Sequence, residues 1–303
     1  MGNKKKIIKK SKIILSFLFL FCMLSSQAIS LELTNSLDIS NKRDAINPYD
    51  ATFFEKNYWA VLIGINDYPG TSGDLPFSVN EINSFKNTLL NKGSWNESHI
   101  IVLKDFEASH LNIFNALEWL AEQETRFDVS IIYFVGHGGK IDKNYTFSAY
   151  DSKVFDYELD EMFDSYDGRI VLIMDCCKSG GFVETVKGRG RMIMAACDKD
   201  GLTYQYKPLK SGFFGYFLNL TLEKLTFTAE ATFLIAAPLT YLYSRRLSEE
   251  LEQDYTVKPK SSDKTIGPIR LIKPGFLNFL KQKSDIDLIP FHSNSVENKL
   301  WLL

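Results

Sequence analysis

Two short motifs hold residue types that could do chemistry, and each one ends an apolar run. GRIVLIMDCCKSGG (168–181) places Cys176 and Cys177 side by side before a glycine turn. IIYFVGHGG (131–139) places His137 on a similar turn. An imidazole beside a thiol favours the thiolate and later protonates a leaving amine. This pair of residue types therefore predicts nucleophilic attack on a carbonyl group.

The spacing of the two motifs predicts that they meet in space. They lie about 40 residues apart with one helical pattern between them, which is the separation of neighbouring strands in a parallel crossover unit. Chemistry in an open parallel sheet lies outside the carboxyl ends of the strands. The neighbouring glycines allow close backbone approach, and backbone N–H groups are the donors that an oxyanion needs.

The elements that must position these motifs alternate between strand and helix. Apolar runs predict strands at 58–67, 99–105, 129–139, 169–175, 191–198 and 265–273. Helical spacing predicts helices at 75–93, 109–127, 154–168, 213–225 and 228–253. Strands that are apolar throughout indicate an α/β fold with a largely parallel sheet of about six strands and helices on both faces.

The helix predicted at 228–253 contains the apolar segment ATFLIAAPLTYLY. Its roughly 13 charge-free residues fall short of the ~20 that span a bilayer. Pro238 in its middle would also kink it. We therefore expect a buried core helix here and not a membrane span.

The N-terminus has the parts of a secretory signal peptide, with a basic start, a short apolar stretch and small residues near Ala28. Residues 1–28 are predicted to be this signal peptide or, through the charge-free stretch 13–31, an uncleaved membrane anchor. The protein is accordingly expected to be secreted to an extracytoplasmic space or tethered to a membrane. With the leader removed, three cysteines remain, so at least one thiol is expected to be free.

The rest of the chain divides into a polar spacer (29–57), one α/β domain (58–275) and a C-terminal tail (276–303). The formal net charge of −2 over 303 residues gives no reason to expect a nucleic-acid partner. Paired metal-ligand spacing and phosphate-binding fingerprints are both missing from the sequence.

Four segments together resemble one family, the caspase-like cysteine peptidases, and within it the metacaspases and related prokaryotic members. These segments are AVLIGINDYPG (60–70), FVGHG (134–138), DCCKSG (175–180) and SGFFGYFL (211–218). The similarity covers roughly residues 58–273. It implies a caspase-like three-layer sandwich and a cysteine endopeptidase that hydrolyses peptide or protein substrates.

The resemblance also distributes roles within the motifs. Cys177 corresponds to the nucleophile, and Cys176 stands at a variable position where a small packed residue is expected. His137 corresponds to the general base and acid. The backbone N–H groups of Gly138 and Cys177 correspond to the oxyanion hole.

Substrate preference rests on two acids that the resemblance places in a pocket for the residue before the cleaved bond, P1. Asp175 matches the family, whereas Glu81 is one methylene longer than the usual aspartate, and Val135 replaces a usual serine. Two acids would repel an aspartyl side chain, so Arg or Lys at P1 is the expectation. The alternatives without a role in substrate binding are that Asp175 caps local backbone and that Glu81 lies on a solvated helix face.

Two further features carry weaker expectations. Many metacaspases bind calcium, and Asp151 and Asp156 stand in the corresponding region; helix-cap roles explain them equally well, and calcium-loop spacing is missing. We expect no cofactor, with calcium possible. The basic loop VKGRGR (186–191) is either a self-processing site or a solvated loop.

Two other functions remain open at this point. The fold could serve as a catalytically inactive interaction or signalling module, with the altered motifs marking lost activity. It could also carry a related thiol hydrolase or transpeptidase reaction.

Overall fold

The computed structural model describes residues 56–70, 73–92, 94–226, 228–262, 268–271 and 300–303. All of them fall in one structural unit, Glu55–Leu303. The predicted leader (1–28), the possible tether (13–31) and nearly all of the spacer lie outside the described residues, as does most of the predicted tail.

Twelve strands and six helices are defined in this part of the chain. The strands are β1 (Tyr58–Gly64), β2 (Ile100–Lys104), β3 (Val129–Val135), β4 (Gly138–Ile141), β5 (Asn144–Ser148), β6 (Lys153–Phe155), β7 (Arg169–Asp175), β8 (Arg191–Ala195), β9 (Tyr204–Tyr206), β10 (Ser211–Gly212), β11 (Lys260–Ser261) and β12 (Leu300–Leu302). The helices are α1 (Ser78–Asn91), α2 (His110–Gln123), α3 (Asp156–Phe163), α4 (Gly180–Thr185), α5 (Phe213–Lys224) and α6 (Ala229–Leu251).

The main sheet has six strands in the order β11-β8-β7-β3-β1-β2. All neighbours are parallel except β11, which runs antiparallel to β8. The predicted α/β fold with a largely parallel sheet of about six strands is confirmed.

Helices cover both faces of this sheet. Alternate residues of β1 point to opposite faces, as the two-residue period of a strand requires. Val61 therefore packs into one apolar cluster with residues of α2, α3 and α4, and Leu62 into a second with residues of α1, α5 and α6. This arrangement explains why β1 is buried at all seven of its positions.

The predicted sixth strand at 265–273 is wrong. Its described part, 268–271, makes a single bridge, from Arg270 to Thr228, and Lys260–Ser261 supplies the sixth strand instead. Pro268 lacks the backbone N–H that a ladder position needs, which disfavours a strand there.

Two small antiparallel sheets flank the carboxyl ends of the main strands. One has the order β4-β5-β6 and begins directly after His137. The other has the order β10-β9-β12, so residues Leu300–Leu302 of the predicted tail form a strand beside Tyr204–Tyr206.

Helix α6 is less buried than the core helix predicted for this segment. It is not buried all round: its inward face carries mainly small and hydroxyl residues, whereas Leu234 and Leu242 are exposed. Pro238 lies inside the helix. Within the described residues, none of the helices combines the length and the apolar character that crossing a bilayer requires.

Candidate active site

His137 and Cys177 follow the ends of adjacent parallel strands. Strands β3 and β7 are paired in a register that sets Val135 opposite Asp175, and the N–H of Gly136 donates to the carbonyl of Asp175 at 3.3 Å. Each functional residue comes two positions after its paired strand residue. The structure therefore brings the histidine and cysteine motifs to one level at one edge of the sheet.

Gly138 shows how closely the two motifs approach. A Cβ atom at this position would lie 2.5 Å from the carbonyl oxygen of Cys177 and 2.6 Å from Sγ of Cys176. Contacts that short are not available to a side chain, so the glycine after His137 is required by packing.

The imidazole of His137 is held in one tautomer. Its Nε2 lies 2.7 Å from the carbonyl oxygen of Gly73, and its ring packs against Tyr68 with 4.9 Å between centroids. A carbonyl can only accept, so Nε2 carries a hydrogen and Nδ1 keeps the lone pair of the neutral ring. Burial lowers the pKa of His137, which favours the neutral form that a general base needs.

The thiol of Cys177 is enclosed. Only 4% of the residue is exposed, and its Sγ accepts a hydrogen bond from the N–H of Thr203 at 3.5 Å. Burial raises the pKa of Cys177 to about 12, against the smaller lowering effect of that hydrogen bond. Within the described residues, Sγ makes no hydrogen bond to His137. The thiol is therefore protonated in this conformation.

The next residue, Lys178, adopts a left-handed backbone conformation with φ of 60°. Its N–H donates to the carbonyl of Gly201 at 2.9 Å. Left-handed backbone costs free energy for a residue with a side chain and is enriched at functional sites. The sharp turn directs the chain away from β7 immediately after Cys177.

The other two described cysteines are packed as small apolar residues. Cys176 is fully buried in the apolar cluster on the α2 side of the sheet, and burial raises its pKa well above the usual value. Cys197 is 1% exposed, with Sγ 3.5 Å from Oγ of Ser179. The thiols of Cys176, Cys177 and Cys197 are all free. The sequence predicted that at least one of them would be.

Glu81 and Asp175 meet beneath the site and are both buried. Their carboxyl groups are neighbours, since a Cβ atom on Gly212 would lie 2.7 Å from Oδ2 of Asp175 and 3.2 Å from Oε2 of Glu81. Burial raises the pKa of both, and the neighbouring charge of Glu81 raises that of Asp175 further. Neither acid forms an ion pair with a Lys or Arg among the described residues.

Backbone and hydroxyl donors satisfy this acid pair. Glu81 accepts hydrogen bonds from the hydroxyls of Tyr133 and Ser211 and from the N–H of Gly212. Asp175 accepts from the N–H of Gly215, in the first turn of α5. The backbone N–H that Asp175 accepts is that of Gly215, 40 residues along the chain, and not the local backbone of the proposed alternative. The solvated helix face proposed as the alternative for Glu81 is wrong because Glu81 is only 3% exposed.

Thr203 joins the acid pair to the nucleophile and was missed by the sequence reading. Its hydroxyl donates to Asp175 at 3.4 Å, while its N–H donates to Sγ of Cys177. Gly73, which holds the imidazole, was also missed. Neither residue belongs to a recognisable motif. Tyr68, which packs against the imidazole, lies in the segment AVLIGINDYPG, and that segment was the only sequence signal for this side of the site.

The calcium candidates are not gathered around one point. Asp151 accepts from the N–H of His110 at 2.8 Å, and the buried Asp156 accepts from the N–H of Tyr157 at 3.0 Å. In the ranges described, no three His, Cys, Asp or Glu side chains cluster in a way that could hold a metal ion. Calcium binding stays a prediction.

The basic loop 186–191 divides into two parts. Arg191 is buried and pairs with Asp160 at 2.7 Å and with Asp164 at 2.6 Å, so it holds β8 against α3. Of the two arginines, Arg189 is the exposed one, as a self-processing site requires.

The order of strands, the paired motifs and their loops agree with one known family. A family model described as Caspase domain matches residues 57–265. The chain belongs to the caspase-domain family. Metacaspase-4 of Arabidopsis thaliana is 30% identical over 146 residues, covering 42% of this chain and 35% of that protein. Metacaspase-8 of the same plant is 26% identical over 189 residues, covering 55% and 49%.

The solved structure of protein GSU0716 from Geobacter sulfurreducens shares the fold. It has a TM-score of 0.52 at 14% identity and covers 75% of this caspase-domain chain and 98% of that one. The chain spans half or less of the curated metacaspases it matches. Family membership and these relatives support a cysteine peptidase.

Proposed function

We propose that the protein is a cysteine endopeptidase in which Cys177 is the nucleophile and His137 the general base and acid. The observation that carries this proposal is the register of β3 and β7, which sets both residues at one level of adjacent strand ends. Nδ1 of His137 takes the proton from the thiol as Sγ attacks the substrate carbonyl carbon. The protonated imidazole then donates that proton to the leaving amine, and water hydrolyses the thioester.

The oxyanion formed in each step would be held by the N–H groups of Gly138 and Cys177. Both belong to the turns that contact each other through Gly138. Preorganised backbone donors of this kind stabilise developing charge without reorganisation at the moment of reaction.

A basic P1 side chain is the proposed preference. In support of it, Glu81 and Asp175 form a buried acid pair with no cation of the described chain bound to them, and Thr203 links the pair to Cys177. A P1 Arg would supply the missing positive charge through charge-assisted hydrogen bonds. Because burial raises the pKa of both acids, this preference weakens as pH falls and the pair becomes protonated.

Peptides that differ only at P1 test this preference. We expect cleavage after Arg or Lys and not after Asp or Asn. Glu81→Gln keeps the size of the side chain but removes its charge, and should lower kcat/KM for the Arg peptide by about 10- to 100-fold, since a hydrogen bond to a charged group contributes roughly 1.5–3 kcal/mol. Glu118→Gln, on the exposed face of α2, is the matched control.

An unchanged Arg rate in Glu81→Gln, or equal cleavage after Asp, would remove the acid pair from substrate recognition. Each assay is run with calcium and with a chelator. Rates that do not differ would remove calcium from the account, and a calcium-dependent rate lost in Asp156→Asn would place the ion near that residue.

We also propose that residues 1–28 are a leader that directs export of the protein. If this leader is not cut, residues 13–31 would anchor the protein in the membrane. The basic, apolar and small-residue order of this segment supports the proposal. If the leader is cut after Ala28, mass spectrometry of the exported protein should find an N-terminal peptide that begins at Ile29. Recovery of the intact N-terminus from the soluble cytosol would contradict both versions.

A further inference from the structure

Strand β12 comes from the far end of the sequence and lies in the candidate active site. It runs antiparallel to β9, with Trp301 opposite Gln205. Extended peptides bind proteins in this way when they add a strand to an exposed edge, because the edge supplies main-chain hydrogen bonds. The occupant here is a segment of the chain itself.

The residue after β12 reaches the nucleophile. The N–H of Leu303 donates to the carbonyl of Thr203 at 3.1 Å, and the N–H of Cys177 donates to the carbonyl of Leu303 at 3.2 Å. This N–H is one of the two donors assigned above to the oxyanion. The Leu303 oxygen therefore occupies one of the two donor positions proposed for the oxyanion.

Side chains anchor the segment on one face. Leu303 is 1% exposed and belongs to the apolar cluster that includes Tyr68 and Leu75. Trp301 packs edge-on against Phe77, with 5.4 Å between ring centroids. Leu302, between them, points the other way and is 48% exposed, as the alternation of a strand requires.

We propose that residues 300–303 act as an intramolecular pseudosubstrate that occupies the substrate cleft of the resting protein. The inference rests on the proposed function of Cys177. A peptide substrate must displace this segment before it can reach Sγ, which accounts for a nucleophile that is only 4% exposed.

The chemistry of the segment suits a reversible occupant. Residues 272–299 connect it covalently to the domain, so it competes at a high local concentration. Leu303 brings no positive charge to Glu81 and Asp175, whereas an Arg side chain of a substrate would. The substrate therefore gains an interaction that the segment lacks, and can replace it.

Alkylation of Cys177 by iodoacetamide, mapped by mass spectrometry, tests occupancy without requiring catalysis. We compare the full chain with a chain lacking 300–303 and with Trp301→Ala and Leu302→Ala. If about one molecule in ten has an open cleft, deletion should raise the alkylation rate about tenfold. Trp301→Ala should raise it by a smaller factor, and the exposed Leu302→Ala is the control that should leave it unchanged.

A synthetic peptide matching residues 297–303 provides a second measurement on folded protein. It should slow the alkylation of the deleted chain, and the same peptide with Asp in place of the last leucine should not. Circular dichroism melting shows whether each variant is folded. Equal alkylation rates in the full chain, Trp301→Ala and the deleted chain would overturn the proposal.

The two proposals fail in different ways. Faster alkylation after deletion, with no peptide cleaved by any variant, would keep residues 300–303 as a segment that covers Cys177 and reject the peptidase. Peptide cleavage at the same rate with and without residues 300–303, and with unchanged alkylation, would keep the peptidase and reject the pseudosubstrate.

Discussion

Cys177→Ser is expected to lower kcat/KM for peptide hydrolysis by about 10³-fold or more, the scale of loss when a catalytic nucleophile is removed. Serine keeps the size of the side chain and still accepts the N–H of Thr203, which is 3.5 Å from Sγ. The hydroxyl is a far weaker nucleophile, so the effect falls on chemistry and leaves folding intact. Initial rates on Arg- and Lys-containing peptides measure it.

Cys176→Ala is the matched control for this variant. Its thiol is fully buried in the apolar cluster and packs where a Cβ on Gly138 would collide. We expect a lower melting temperature with activity retained within a few-fold. Loss of activity in correctly folded Cys176→Ala, with Cys177→Ser still active, would reverse the assignment of the two cysteines.

His137→Ala is expected to lower kcat by about 10²–10⁴-fold, the usual contribution of a positioned general base and acid. The wild-type rate should fall at acidic pH as the imidazole becomes protonated. Because burial lowers the pKa of His137, this fall should lie below the ordinary pKa of histidine, near 6.5. Measured as kcat at saturating peptide, so that protonation of the acid pair and weaker binding of Arg do not contribute, the acidic limb should be missing from the residual activity of the variant.

His110→Ala is the control for the histidine. His110 lies at the start of α2 and pairs with Glu158 at 3.1 Å, so its removal should leave the pH profile unchanged. An acidic limb of kcat that persists unaltered in His137→Ala would assign the general base to another residue.

The central strands of the fold could be predicted because their sequences are apolar throughout. Strands β1, β3 and β7 are buried at nearly every position, and a strand buried on both faces indicates a parallel sheet. The same pattern located the site, since both reactive motifs directly follow such strands. The end of this strand was not predicted correctly. The single strand predicted over 129–139 is interrupted by the turn at Gly136 and His137, so that β3 ends at Val135 and β4 begins at Gly138.

The features that escaped prediction depend on contacts between distant segments. The two-residue strand β11 carries too short a pattern to be recognised. Thr203 contacts Cys177 through its backbone N–H and Asp175 through its hydroxyl. A backbone contact does not depend on the type of side chain, so it cannot be predicted from the sequence. Residues 300–303, which contain strand β12, were assigned to the C-terminal tail. Their four apolar residues form too short a pattern to show which strand they pair with.

The acid pair shows a mixed outcome. The resemblance to the metacaspases placed Glu81 and Asp175 in one pocket, and the structure sets both carboxyl groups beside Gly212. Their enclosure by Gly212 and Gly215 could not be predicted. A Cβ on Gly215 would collide with Oε1 of Glu81, so these glycines set how closely α5 approaches the pair.

Covalent labelling with a peptidyl electrophile that carries Arg at P1 tests the central claim most directly. The chain lacking residues 300–303 is treated with the reagent, digested and analysed by mass spectrometry, with His137→Ala treated in parallel. The account predicts one adduct, on Cys177, formed much more slowly in His137→Ala. An adduct on Cys176 or Cys197, or a folded protein in which Cys177 stays unlabelled, would contradict it.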